Sequence, residues 1–184
     1  SPHHLAKVLS ELARAGVAVR VGSRSVESAE AAAAKISEQL ADPHAEVTGL
    51  ANEVAVRGVE IVFLTVPFAA QAENLKNLKD ALVEGPLLVD ATVPLAAAVG
   101  GKPTRTIGVW QGSAAQQAQE LAPEGVRVVS ALHSVSAVTL ADLETSHEED
   151  VLVMGNKKAD KARVAELIDL IPGLRAVDGG PLES

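Results

Sequence analysis

The sequence predicts an α/β fold, a doubly wound and mostly parallel sheet with helices on both faces. Three observations predict it. Short runs rich in valine and leucine alternate with segments of helical periodicity along the whole chain. The run at residues 59–66 is apolar almost throughout, as in a parallel strand buried on both faces. Polar turns with glycine or proline separate these segments, and this alternation is typical of βαβ units.

The first half of the chain supplies three strands and three helices. Leu5, Val8, Leu9 and Leu12 recur at helical spacing, and Gly16 takes the position of a C-terminal cap, so the first helix is predicted to end at Ala15. A strand at residues 17–21 leads through a polar turn into an alanine-rich helix at residues 27–40. Strands at residues 45–50 and 59–66 and a helix at residues 71–82 follow.

The second half continues the same alternation. A strand at residues 87–92 is followed by a loop with several glycines and prolines. The later periodic segments predict helices at residues 113–121 and 160–170 and strands at residues 126–132, 151–154 and 174–177. Residues 178–181, Asp-Gly-Gly-Pro, are interpreted as a turn. No repeat or shift in composition marks a boundary, so residues 1–184 are expected to form one domain.

Composition excludes several classes of function. The 184 residues include no cysteine, which removes disulfides, thiolate nucleophiles and sulfur-ligated metals and suits a cytoplasmic protein. A net charge of −8 and 2% aromatic residues disfavour nucleic acid as a partner. No apolar run is long enough to span a bilayer, so no membrane association is expected. An anionic cofactor must therefore be bound by a local cation that acts against the overall charge.

Ligands of doubly wound sheets bind beyond the carboxyl ends of the strands. This edge, which we call the rim, is expected to carry Ser23-Arg24, Pro67-Phe68, Val93-Pro94 and His133-Ser134. A Rossmann-type dinucleotide domain normally opens with a strand and a glycine-rich turn, but here a helix begins almost at residue 1. We expect that the natural chain begins earlier or that another segment fills this central position, because two sheet edges would otherwise be unpaired.

Ser23-Arg24 follows the strand after which an acidic residue would bind the ribose of NAD. An arginine at this position instead accepts the 2′-phosphate of NADP, so these two residues predict NADP; a simple exposed turn is the alternative. Phe68, after Val66 and Pro67, offers a flat wall for a nicotinamide ring, or it is an ordinary core side chain.

His133 is interpreted as a ligand-orienting imidazole or as a structural histidine, and Ser113 as a helix cap that either binds an anion or only caps the helix. Asp90, alone at a strand end, is expected to cap a loop rather than to act as a base.

No paired carboxylates, catalytic triad, metal-ligand spacing or phosphate-binding Walker loop is present in the sequence. Hydrolysis and phosphoryl transfer therefore lack their machinery. Hydride transfer between two bound cofactors requires mainly that two rings are held face to face, which a protein can do without an ionising side chain. The scarcity of catalytic groups therefore fits hydride transfer.

Together these motifs resemble the F420H2:NADP oxidoreductases, also called NADPH-dependent F420 reductases, over the whole chain. The motifs that carry the resemblance are Leu12-Ala13, Ala15-Gly16, Val21-Gly22-Ser23-Arg24, Leu64-Thr65-Val66-Pro67-Phe68, Val93-Pro94, Ser113-Ala114-Ala115, Val128-Val129-Ser130-Ala131-Leu132-His133, Gly173-Leu174-Arg175 and Asp178-Gly179-Gly180-Pro181-Leu182. Their order and spacing, rather than any single motif, are specific.

The resemblance implies hydride exchange between C4 of the nicotinamide of NADP and C5 of the deazaflavin of coenzyme F420, in a homodimer. It assigns the 2′-phosphate to Ser23 and Arg24, and it places Phe68, Val93 and Ala137 near the two rings.

The sequence departs from the family pattern in its missing first strand and glycine loop, in Ser28 where the family has a basic residue, and in its missing C-terminal helices. Another NADP-dependent flavin or carbonyl reductase and a non-catalytic nucleotide-binding subunit are the alternative interpretations.

Overall fold

A computed structural model describes residues 2–40, 42, 44–102, 104–133 and 149–183, without the side chains of residues 2–6 and 98. The helices are α1 (Pro2–Arg14), α2 (Val26–Leu40), α3 (Asn52–Ala55), α4 (Phe68–Leu78), α5 (Ala114–Leu121) and α6 (Lys158–Asp169), with a 3-10 helix at Ala96–Val99. The strands are β1 (Val19–Ser23), β2 (Val47–Ala51), β3 (Ile61–Leu64), β4 (Leu87–Asp90), β5 (Arg127–Ser130), β6 (Glu149–Gly155) and β7 (Leu174–Gly180).

The strands are mostly parallel, as predicted. β1 and β2 form a two-stranded parallel sheet, and the other strands form a sheet in the order β3-β4-β5-β6-β7. Within this larger sheet only the pairing of β5 with β6 is antiparallel. The α/β fold class with a Rossmann-like, mostly parallel sheet is therefore confirmed.

The predicted elements are present with bounds that differ by up to four residues, and α3 was not predicted. Two of the differences have a clear physical reason. α4 begins at Phe68 rather than residue 71, because Pro67, with φ −56° and ψ 144°, occupies the N-cap, where a missing N–H costs no helical hydrogen bond. The interpretation of residues 178–181 as a turn is wrong for its first part. β7 continues to Gly180 beside β6, and the register between the two strands shifts by one residue between Val153 and Met154.

Alternate residues of the larger sheet face opposite layers of helices. Leu88 and Val128 pack in one buried cluster with residues of α4 and α5. Their neighbours Val89 and Val129 pack in another cluster with Val164 and Ile168 of α6. This alternation follows from the two-residue period of a strand, and it shows that both faces of the sheet are covered.

The two sheets share a core although β1 and β3 are not hydrogen-bonded to each other. Val8 and Leu12 of α1 pack in one cluster with Val19 of β1 and with Ile171, which follows α6. The Arg20 guanidinium also donates to the carbonyl of Arg57, just before β3, at 2.7 Å. A further strand between β1 and β3 stays a prediction.

Helix α2 lies unusually close to the smaller sheet. A Cβ atom added to Gly49 on β2 would lie 2.3 Å from the backbone nitrogen of Glu30 and 2.4 Å from the carbonyl carbon of Ala29. Only glycine allows this approach, because helix backbone cannot move aside as a flexible side chain does. α2 therefore packs tightly against β2 at this point. None of the helices in the described ranges is both long and apolar enough to cross a bilayer.

Candidate active site

Hydrogen-bonded parallel strands bring three of the four predicted rim segments to one edge. β3, β4 and β5 run side by side, so residues 65–68, 91–94 and 131–133 follow neighbouring strand ends. Ser23 and Arg24 lie at the carboxyl end of β1, in the smaller sheet. The rim therefore has two parts, which we call the β1 side and the cavity side.

On the β1 side, Arg24 is exposed and its guanidinium makes no hydrogen bond or ion pair with another residue of the described ranges. Beside it, the hydroxyl of Ser23 accepts from the Ser25 N–H at 3.3 Å. A guanidinium at the end of a strand that has no partner in the described part of the chain is available to bind an anionic ligand.

The start of α2, next to Arg24, is capped by the side chain of Ser25. The Ser25 hydroxyl accepts from the Ser28 N–H at 3.2 Å and donates to the Glu27 carboxylate at 2.7 Å. This hydrogen bond from Ser25 lowers the pKa of Glu27, so Glu27 is ionised at neutral pH. Arg24 and Ser23, rather than the helix start, are therefore the groups open to a phosphate.

Val66, Pro67 and Phe68 form the passage from β3 into α4. Val66 packs against the cluster shared with α4 and α5, Pro67 is exposed, and Phe68 is half-buried. None of the three lines the cavity described next. Phe68 therefore leaves part of its ring open at the rim.

The cavity side holds a cavity of about 290 Å³, close to the lower end of the range of ligand-binding pockets. Its walls come from residues 92–94 after β4, from the loops at residues 106–109 and 112–115, and from Ser130, His133, Met154 and Leu182. No Asp, Glu, Lys or Arg is among these described lining residues. Such a lining suits an uncharged planar ring better than a phosphate or a carboxylate.

Backbone and side-chain hydrogen bonds hold the cavity walls in place. The Ile107 N–H donates to the Pro94 carbonyl at 2.8 Å, which joins two walls. The Ser113 hydroxyl accepts from the Gln116 N–H at 3.1 Å as the N-cap of α5, and it donates to the Leu182 carbonyl at 2.8 Å. Leu182 is buried, and its N–H donates to Asn156. Ser113 thus both caps a helix and fixes a wall.

A left-handed residue turns the chain after β5 and places His133 at the cavity. Leu132 has φ 64°, a conformation that costs a non-glycine residue about 1 kcal/mol or more. His133 Nδ1 lies 3.3 Å from the Ser130 hydroxyl. Burial lowers the pKa of His133, so the imidazole is neutral at pH 7.

A buried polar network lies beneath the cavity wall. Asp90 is fully buried, and its carboxylate accepts from the Thr92 hydroxyl at 3.1 Å and from the Gln71 amide at 3.2 Å. Burial raises the pKa of Asp90, while the hydrogen bonds from Gln71 and Thr92 oppose that rise. Asp90 faces Thr92 and Gln71 and is absent from the cavity lining, which agrees with a structural role.

Of the predicted cofactor-binding residues, Val93 and His133 line the cavity. Ser23, Arg24, Val66, Pro67 and Phe68 lie on other parts of the rim, and Ser134 and Ala137 lie outside the described residues. Sequence reasoning missed Gln71 and the loop at residues 106–109. One signal for Gln71 was present, because it shares a helical stripe with Leu75 and Leu78 and is therefore a polar residue on a core-facing side.

Comparison with known proteins identifies relatives of this chain. Residues 5–94 match the family model described as NADP oxidoreductase, coenzyme F420-dependent. The F420-dependent NADP reductase of Methanothermobacter marburgensis is 38% identical over 174 residues, which cover 94% of this chain and 77% of that protein. The F420-dependent NADP reductase of Methanocaldococcus jannaschii is 39% identical over 165 residues, covering 89% and 73%.

Solved structures show the same fold. A protein from Arthrobacter sp. FB24 superposes with a TM-score of 0.67 at 28% identity, covering 98% of this chain and 80% of that one. The pyrroline-5-carboxylate reductase of Coxiella burnetii shares the fold alone, with a TM-score of 0.62 at 14% identity, covering 96% and 56%. On the strength of the relatives above 35% identity, the chain belongs to the family of F420-dependent NADP reductases.

Proposed function

We propose that the protein transfers hydride between NADP(H) and coenzyme F420. The observation that carries the proposal is the division of the rim. On the β1 side the Arg24 guanidinium has no partner among the described residues, and on the cavity side no described lining residue is an Asp, Glu, Lys or Arg. The first suits the phosphorylated ribose of NADP, and the second suits a deazaflavin ring. The relatives named above are F420-dependent NADP reductases, which supports the same pair of ligands.

The binding roles are assigned residue by residue. Arg24 and Ser23 bind the 2′-phosphate, and Val66, Pro67 and Phe68 border the nicotinamide. Val93 and His133 contact the deazaflavin from the cavity wall. Ser134 and Ala137 are assigned to the same site by the family resemblance alone.

With both ligands bound, a hydride would pass between C4 of the nicotinamide and C5 of the deazaflavin, and reduction of the deazaflavin would take up one further proton, which solvent can supply. The chain's contribution is to orient the two rings and to exclude water. The neutral imidazole of His133 offers a hydrogen bond without adding a charge beside the reacting atoms. No Asp, Glu, Lys or Arg is among the described lining residues, so positioning of the two rings is the main source of rate.

The test is a spectroscopic assay with purified protein and NADPH. One sample receives coenzyme F420, a second receives FMN, a third receives an imine or carbonyl substrate, and a fourth receives no acceptor. Oxidation of NADPH only with F420 is the expected result. Oxidation with FMN or the carbonyl instead identifies the rival reductase. Tight NADPH binding without oxidation in any sample identifies a nucleotide-binding subunit, and both of these results contradict the proposal.

We further propose that residues 1–184 act as one NADP-binding domain in a cytoplasmic homodimer. The shared cluster of α1, β1 and Ile171 supports one domain, and the sequence has no cysteine, as suits a reducing compartment. The Trp110 side chain is 98% exposed, and a dimer interface on this face would bury it. Light scattering should give a dimer mass; a monomer at micromolar concentration contradicts the homodimer.

A further inference from the structure

The side-chain amide of Gln71 contacts three segments that lie next to the rim. Its Nε2 lies 2.8 Å from the Thr92 hydroxyl oxygen, 3.0 Å from the Ala114 carbonyl oxygen and 3.2 Å from Asp90 Oδ1. Its Oε1 accepts from Gln117 Nε2 at 2.9 Å. One amide on α4 therefore contacts the end of β4, the loop after it and the start of α5.

This amide has a single favourable orientation. Gln71 and Asp90 are fully buried and Thr92 is 5% exposed, so unpaired groups among them have no water to bind. Rotating the amide by half a turn would place its oxygen against the Asp90 carboxylate and against the Ala114 carbonyl oxygen. Both contacts would be repulsive, so the network specifies one arrangement.

Gln71 joins two features that we propose to contact the rings, namely the cavity wall and the Pro67-Phe68 segment that borders the nicotinamide. Thr92 and Ala114 line the cavity. Gln71 itself lies in the first turn of α4, three residues after Phe68. Because a helix turn is stiff, the position of Gln71 sets the position of Pro67 and Phe68. The amide therefore fixes the distance between the border of the nicotinamide and the wall of the cavity.

We propose that Gln71 is a positioning residue for hydride transfer, which sets the separation of the two rings by tying the start of α4 to Thr92 and Ala114. This inference rests on the function proposed above. Hydride transfer depends steeply on the distance between donor and acceptor, and a misplacement of about 1 Å can cost about 100-fold in rate. Gln71 touches neither ring and acts through the segments that it holds.

The test replaces Gln71 with methionine, which keeps the length of the side chain and removes its hydrogen bonds. Asn74→Leu is the matched control, because Asn74 lies on the same helix and donates only to the Ala70 carbonyl of its own helix, at 2.8 Å. Stopped-flow measurements with NADPH and with NADPH deuterated at C4 give the hydride-transfer rate and its isotope effect. NADPH affinity and the thermal midpoint are measured on the same samples.

We expect Gln71→Met to slow hydride transfer by about 10-fold to 100-fold and to make the isotope effect more temperature-dependent, with NADPH affinity changed by less than about threefold. Asn74→Leu should keep the wild-type rate and isotope effect. A purely structural role would lower the thermal midpoint of Gln71→Met but leave the rate and isotope effect of the folded protein unchanged. That result overturns the proposal.

A milder variant decides the question if Gln71→Met does not fold. Gln117→Leu removes only the donor to Gln71 Oε1, on a partly buried side chain. We expect the same change in the isotope effect and a smaller loss of rate. An unchanged rate and isotope effect overturn the proposal. Wild-type protein that oxidises NADPH with F420 separates this failure from failure of the proposed function, whereas inactive wild-type protein overturns both.

Discussion

The β1 side and the cavity side of the rim are suited to two different kinds of ligand recognition. On the β1 side, one exposed guanidinium at the end of a strand faces solvent and needs little support. On the cavity side, fifteen residues from several segments form the walls, and a buried polar network lies beneath them. A phosphate can be bound by one charge-assisted contact, whereas a neutral ring needs a shaped surface. Charge recognition is thus local, and shape recognition depends on the whole fold.

The largest expected effect concerns packing below the β1 side. Gly49→Ala should lower the free energy of unfolding by about 2 to 3 kcal/mol, because the new Cβ would collide with the backbone of α2. Gly108→Ala is the matched control in the cavity loop, where nothing lies within 4 Å of the new Cβ. That control should change stability by less than about 0.5 kcal/mol. Urea unfolding measures both, and equal losses would contradict the tight packing of α2.

An effect of intermediate size is expected on the cavity side. Ser113→Ala should cost about 1 kcal/mol of stability, because it removes the cap of α5 and the hydrogen bond to the Leu182 carbonyl. The same variant should weaken F420 binding more than NADPH binding, since Leu182 belongs to the cavity wall. Ser113→Thr keeps the hydroxyl and serves as the control. If Ser113→Ala weakens both ligands equally, the two sides of the rim are not independent.

The smallest expected effect is a change in the pH dependence of stability. Burial raises the pKa of Asp90, so the folded protein binds the proton more tightly than the unfolded chain does. Wild type should therefore gain stability relative to Asp90→Asn as the pH falls through the raised pKa toward the ordinary value of 3.8. Urea unfolding across this range measures the difference, with exposed Asp80→Asn as a control for the lost charge. A difference that stays constant or changes in the opposite direction contradicts a raised pKa of Asp90 in the folded protein.

The contrast between the β1 side and the cavity side also explains how much of the fold and of the site could be predicted from the sequence. Short-range patterns determine the alternation of strands and helices and the position of Arg24. The structure has both features, because β1 ends at Ser23 and α2 begins at Val26. The cavity could not be predicted, because residues 106–109, Met154 and Leu182 meet only in the folded chain. The start of α4 at Phe68 was missed because the helical periodicity becomes visible only where Gln71, Leu75 and Leu78 begin to recur.

The most direct measurement is a titration of wild type, Arg24→Ala and Lys35→Ala with NADPH and with NADH. Lys35→Ala removes the same charge from an exposed position on α2. Arg24→Ala should bind NADPH at least about tenfold more weakly, since a bidentate contact to phosphate contributes about 1.5 kcal/mol or more, and should bind NADH as wild type does. Unchanged NADPH affinity in Arg24→Ala, or an equal loss for both nucleotides, would show that Arg24 does not select the phosphorylated ribose.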